Sequence, residues 1–275
     1  MTRNIIATSM VGALMFAVLT VGILFISMDN STDVEAVSVA NQLYESGSYQ
    51  EAKIIYEGLI AQGTADSSIY FNLGNTYFMQ GDLGRAILNY QRAARLDPRD
   101  ADIKTNLAVA RSSTAEFSTS EPVEPIKKVS TFSSAWLTLN ETALLALSLW
   151  FGLVFLVLTF RQFQPGKIRA LVQYGLVLTS FMALVTVATL GSRLYTERAQ
   201  PEGVIVAPVV TVSSSPGEEY ATEYRLFSGA EVNLLETRGD WAHLAGTGGD
   251  AFDGWIPLDT VETITKASHF AVPQF

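Results

Sequence analysis

Two apolar runs, 136–160 and 170–190, constrain this chain more than any other feature. Neither contains a lysine or arginine, and each is on the order of 20 residues, the length an α-helix needs to cross a ~30 Å hydrocarbon layer. A backbone in lipid must satisfy its own hydrogen bonds, so both runs should be helical. The segment 161–169 between them contains Pro165-Gly166, a turn signal, and the cations Arg161, Lys167 and Arg169. Short basic loops stay on the cytoplasmic side. The pair reads as a transmembrane helical hairpin with a cytoplasmic turn, and the chain on either side of it belongs outside the cytoplasm.

The N-terminus points the same way. After Arg3 an uncharged run extends from Ile5 to Ile26, and the next charge is Asp29, so segment 1–28 keeps its basic end inside. It is long for a secretory signal, and Ser38-Val39-Ala40 lies too far downstream for a cleavage site, which favours an uncleaved anchor over a removed signal peptide. The formal net charge of −9 is concentrated in the exported parts and argues against nucleic-acid binding. With no cysteine, disulfides, thiolate nucleophiles and cysteine-based metal sites are excluded.

The first soluble part, 31–111, contains a repeat. Gly47, Ala52 and Tyr56 recur as Gly81, Ala86 and Tyr90, at an interval of about 34 residues. Tyr70, Leu73 and Tyr77 fall on one helical face, Gly74 lets a neighbouring helix approach, Gly81-Asp-Leu-Gly84 forms a turn, and Asp97-Pro98 ends the second helix. These residues resemble the tetratricopeptide (TPR) family. The first copy is looser, with Ala40, Leu43 and Thr64 at the places of Gly74, Tyr77 and Pro98. A third begins after Asp100, with Leu107 and Ala108 at the places of Leu73 and Gly74, and stops near Arg111. That half-repeat reads as a capping helix.

The resemblance implies a concave face carrying Asn41, Tyr44, Phe71, Asn72, Asn75, Phe78 and Asn106. Asparagine amides can donate to and accept from an extended peptide, and the aromatics offer apolar area. The alternative reading buries Tyr44, Phe71 and Phe78 between helices and leaves the asparagines as ordinary polar surface. Val37, Asp102 and Asn106 stand where carboxylate-clamping TPR units place cations, so capture of a terminal carboxylate is not expected.

Segment 112–135 is rich in Ser, Thr, Glu and Pro and reads as a flexible linker. From 203 to 264 the pattern changes to short β-branched runs between glycine-rich turns, which argues a small all-β barrel, followed by a tail at 265–275. Pro208 should leave an edge strand or two short ones. Phe227–Leu235 reads as one strand and His243 as a solvated strand residue. The run ending in Gly254-Trp-Ile is similar to the bacterial SH3-like domain, which implies an aromatic groove at Tyr220, Tyr224, Trp241 and Trp255. In so small a barrel Trp241 and Trp255 also suit the core.

No nucleophile elbow, phosphate-binding loop or His-Glu-x-x-His pair occurs, so we expect neither catalysis nor a cofactor or metal. The fold class is then a multidomain membrane protein: α-helical TPR solenoid, transmembrane hairpin and SH3-like barrel. This order of modules resembles the BatE-type proteins of the bacterial aerotolerance operon. The resemblance implies a multi-pass scaffold of the bacterial inner membrane with both modules in the periplasm. It also implies von Willebrand A-domain membrane proteins and, indirectly, a MoxR-type ATPase as partners. The rival expectation is a cell-wall sensing or targeting subunit whose barrel binds peptidoglycan peptides.

Overall fold

The computed structural model describes residues 31–64, 66–114, 136–199, 201–246 and 253–265. The N-terminal apolar run, all but the start of the 112–135 linker and nearly all of the tail lie outside the described residues. The chain forms two compact units, one holding Leu139–Gly191 and the other holding the repeats and the sheet.

Among the described residues five helices build the repeat region: α1 (Ser31–Glu45), α2 (Tyr49–Ala61), α3 (Ser67–Met79), α4 (Leu83–Leu96) and α5 (Ala101–Ser113). Their starts are written locally. The carboxylates of Asp66, Asp82 and Asp100 accept from the backbone N–H groups of Ser68, Arg85 and Asp102, satisfying donors that a helix N-terminus leaves open. Gly47 and Gly81 take φ of 82° and 81° in the two equivalent turns, a conformation that suits glycine. Helices α1/α2 and α3/α4 are the two repeats, and α5 opens a third. Ala52, Tyr56, Ala86, Tyr90 and Ala93 are buried between them. A Cβ on Gly74 would sit 2.7 Å from the Tyr90 ring, so this glycine sets how closely α3 and α4 approach.

Seven strands follow: β1 (Glu202–Ile205), β2 (Val209–Ser213), β3 (Thr222–Phe227), β4 (Glu231–Arg238), β5 (Trp241–Gly246), β6 (Asp253–Pro257) and β7 (Val261–Thr263). They pair antiparallel in the order β3-β2-β6-β5-β4-β1-β7. The sheet is therefore open where the sequence led us to expect a barrel, and β3 and β7 stay apart as its edges. The physical reason at the β7 end is that another group takes its carbonyls: Arg92 of α4 donates to Thr263 O at 2.8 Å and to Ile264 O at 3.2 Å. Pro208 divides β1 from β2. The expected strand Phe227–Leu235 is interrupted by a turn at Ser228-Gly229, with φ of 92° at Gly229. Strand β3 gave no alternation to read, because it is exposed everywhere except Leu226. Ile205, Val212, Val232, Leu244 and Ile256 form the core of the sheet.

The remaining helices are α6 (Leu139–Phe160) and α7 (Lys167–Ala199). Both are long and apolar enough to cross a membrane, and their apolar stretches are almost wholly uncovered. Leu144, Phe155, Leu171 and Phe181 are among their exposed side chains. Lys167 and Arg169 lie in the first turn of α7, and the Arg169 guanidinium sits 4.6 Å from the Phe160 ring centroid.

Replacing Gly74 with alanine should destabilise the repeats by about 1–3 kcal/mol, because the new methyl must displace the Tyr90 ring. Urea unfolding monitored by circular dichroism measures the loss.

Candidate protein-interaction surface

The first helix of each repeat, α1, α3 and α5, brings the predicted asparagines into line, and hydrogen bonds connect them. Asn41 Oδ1 accepts from the Tyr56 hydroxyl at 2.6 Å and from Asn72 Nδ2 at 3.0 Å. One repeat later, Asn75 Oδ1 accepts from the Tyr90 hydroxyl at 2.7 Å and from Asn106 Nδ2 at 2.8 Å. The two rungs are the same constellation moved by one period. Each ties the first helix of a repeat to its own second helix and to the first helix of the next. The carbonyl oxygens of Asn41 and Asn75 thus have both lone pairs engaged, while their amide nitrogens and the carbonyl oxygens of Asn72 and Asn106 have no partner among the described residues. The signal was present in the sequence, since Tyr56 and Tyr90 keep the same interval as Asn41 and Asn75.

Burial makes these tyrosines hard to ionise. The Tyr56 hydroxyl is pushed up to about 12, chiefly by burial, with the Asn72 amide opposing and Tyr44 and Glu45 adding to the rise. Tyr90 moves the same way, first through burial and then through Tyr44. Tyr77 is raised by burial and by its hydrogen bond to Glu57. Tyr44, Phe71 and Phe78 are half-buried and pack against the repeat core, and the Phe71 ring lies 5.9 Å from that of Tyr90. Each is partly buried against the core and partly at the surface.

On the sheet, strand register collects a second group. Trp241 stands opposite Pro257 and His243 opposite Trp255, while Glu236 and Arg238 of β4 stand opposite His243 and Trp241. Trp255 is only 6% exposed, because His243 stacks on it at 4.6 Å between centroids and the Arg238 guanidinium lies 5.0 Å from its ring. His243 also pairs with Asp253. It is held against Trp255 rather than solvated as the sequence suggested, since the cross-strand pairing was not visible before folding. Arg238 holds the Glu236 carboxyl below the usual carboxylate range through a hydrogen bond of 2.6 Å. Tyr220 and Tyr224 are 45% and 46% exposed. Tyr224 sits on edge strand β3 opposite Val212, two strands from Trp255. The structure therefore brings Trp241 and Trp255 to one face and leaves the tyrosines at the sheet's border. Among the described residues no cluster of three His, Cys, Asp or Glu side chains could hold a metal.

Residues 74–112, from the middle of α3 to the end of α5, match the TPR repeat family. The helical repeat region is consistent with TPR, a kind of repeat that generally mediates protein–protein interaction. No curated protein matches the chain.

Two outcomes test the ladder. Asn75→Ala leaves Tyr90 and Asn106 without their shared acceptor and should cost about 1–3 kcal/mol of repeat stability, read by thermal unfolding. The raised Tyr56 value means that the folded chain keeps a proton which the unfolded chain releases near ~10. Its contribution is complete below that pH and is lost as pH rises through about 12. Absorbance at 295 nm should show late-titrating tyrosines whose ionisation coincides with loss of ellipticity, and Tyr56→Phe should remove part of that component.

Proposed function

We propose that the protein is a non-enzymatic membrane scaffold. The hairpin α6/α7 anchors it, and the TPR repeats and the SH3-like sheet are presented on the exported side to protein partners. The observation that supports the proposal is the pairing of a TPR repeat with two helices long and apolar enough to cross a membrane, almost wholly uncovered among the described residues. Such helices need a non-aqueous surrounding, and lipid supplies it. The cations at 161–169 favour the cytoplasmic side for the turn and therefore the periplasmic side for both modules. Avidity is the physical advantage, since one anchor raises the local concentration of both modules toward a shared complex.

The concave face supports a specific kind of recognition. Its asparagine rungs offer amide donors at Asn41 and Asn75 and carbonyl acceptors at Asn72 and Asn106, repeated at one-repeat spacing. Tyr44, Phe71 and Phe78 lie beside them. This chemistry suits an uncharged, extended segment carrying apolar side chains, bound through its backbone. The resemblance to BatE-type proteins favours von Willebrand A-domain membrane proteins as the source of that segment, with a MoxR-type ATPase in the same assembly.

Membrane placement and partner capture are tested separately. The chain should remain in the pellet after alkaline carbonate extraction, and a single cysteine at Gln164 should resist an impermeant maleimide in intact spheroplasts while one at Gln50 or Glu223 reacts. Crosslinking in membranes followed by mass spectrometry should recover a membrane partner from the native chain and about tenfold less from Phe71→Ala/Phe78→Ala. Release by carbonate, or partner recovery unchanged by the double variant, contradicts the proposal.

A further inference from the structure

Among the described residues the third repeat has a first helix and no second one. The sheet lies against α4 and α5 in its place. Val204, Val206 and Ile264 belong to the same buried cluster as Ile87, Leu88 and Leu107 of the repeats. The turn at 228–229 fits into the helical surface. The Gly84 N–H donates to Ser228 Oγ at 3.1 Å, and a Cβ on Gly229 would fall 2.6 Å from Thr114 Cγ2 and 2.9 Å from Ile87 Cδ1. Around this apolar centre, among the described residues, four ion pairs have the arginine on the helical side and the glutamate on the sheet side. Arg85 meets Glu262 at 3.3 Å, Arg92 meets the same carboxylate at 3.7 Å, Arg95 meets Glu202 at 3.3 Å and Arg111 meets Glu231 at 2.6 Å.

A solenoid needs its last apolar face covered, and the two and a half repeats among the described residues fall short of the ~3 that normally stand alone. We infer that the sheet does for the third repeat what a second helix would do, so that repeats and sheet fold as one cooperative body with the apolar hairpin inserted between its two halves. The chain's course agrees. It leaves the helices at Thr114, which rests against Gly229, while Arg111 binds Glu231. It returns in β1, where Val204 stands opposite that same Glu231. The points of departure and return are neighbours on one surface. Between those two points the chain runs through the hairpin of the membrane reading proposed above. The inference about the body stands apart from that reading and depends on the helix–sheet contact alone.

The native chain has no cysteine, which allows a direct test on the full-length protein in detergent or in membranes. Arg111→Cys/Glu231→Cys should be bridged by a short bis-maleimide, so that the fragments stay joined after a protease cuts at a site engineered into 115–135. Glu262→Arg should speed hydrogen exchange of the α4–α5 amides at least about tenfold, as expected if the sheet protects them. Arg111→Glu and Glu231→Arg should each do so more weakly, and the two together should restore most of the protection, which separates a lost ion pair from general misfolding. Fragments that separate, or α4–α5 exchange that ignores Glu262→Arg, overturn the inference. Neither result bears on carbonate extraction, so failure here and failure of the membrane reading can be told apart.

Discussion

Helix α4 is the element on which the rest of the helix–sheet unit depends, because it is packed on opposite sides by different kinds of partner. One side presents Ala86, Tyr90 and Ala93 to the other repeat helices, where Gly74 leaves room for the Tyr90 ring. The other presents Arg85, Ile87 and Arg92 to the sheet. Magnitudes rank these contacts. Exposed ion pairs such as Arg95–Glu202 contribute about 0–1 kcal/mol each. Burying Ile87 contributes about 1.5–3 kcal/mol. Arg92 differs from the other arginines, since its side chain is only 15% exposed and it serves two carbonyl oxygens of the sheet as well as Glu262. Apolar burial thus holds the contact, and the arginines set its register and polarity.

The asparagine–tyrosine rungs show how a short array can stay ordered. Each rung uses a buried hydroxyl to hold an asparagine carbonyl oxygen in place, and the same asparagine keeps its amide available. On the function proposed above, a groove ordered in this way would lose little side-chain freedom on binding. The outer sheet face is organised differently. His243 and Arg238 cover Trp255, leaving that ring closed while Tyr220 and Tyr224 remain accessible.

Much of the helical part was legible in order. The interval separating Gly47, Ala52 and Tyr56 from Gly81, Ala86 and Tyr90 identified the repeat, because each unit must present the same small and large residues to its neighbour. The acidic N-caps, the glycine turns and Asp97-Pro98 marked helix ends through local backbone chemistry alone. The sheet was less legible. Strand β3 has one buried residue and no alternation, and the short β7 is completed by an arginine more than 170 positions earlier in the chain. Nothing local records such a contact. The asparagines were picked out as groove residues, yet their attachment to Tyr56 and Tyr90 emerges only when two helices are placed side by side.

Apolar length and local signals therefore determined the parts by themselves: two helices long and apolar enough to cross a membrane, a TPR-type repeat of fixed period and a stretch of short strands. Both the period and the run length are properties of neighbours along the chain, which is why they survive without coordinates. The tertiary structure alone decided that the sheet stays open, that α4 seals its β7 edge and that Trp255 is shielded by a histidine. Each of those outcomes depends on side chains distant in sequence competing for the same surface, a competition resolved only when the surfaces meet.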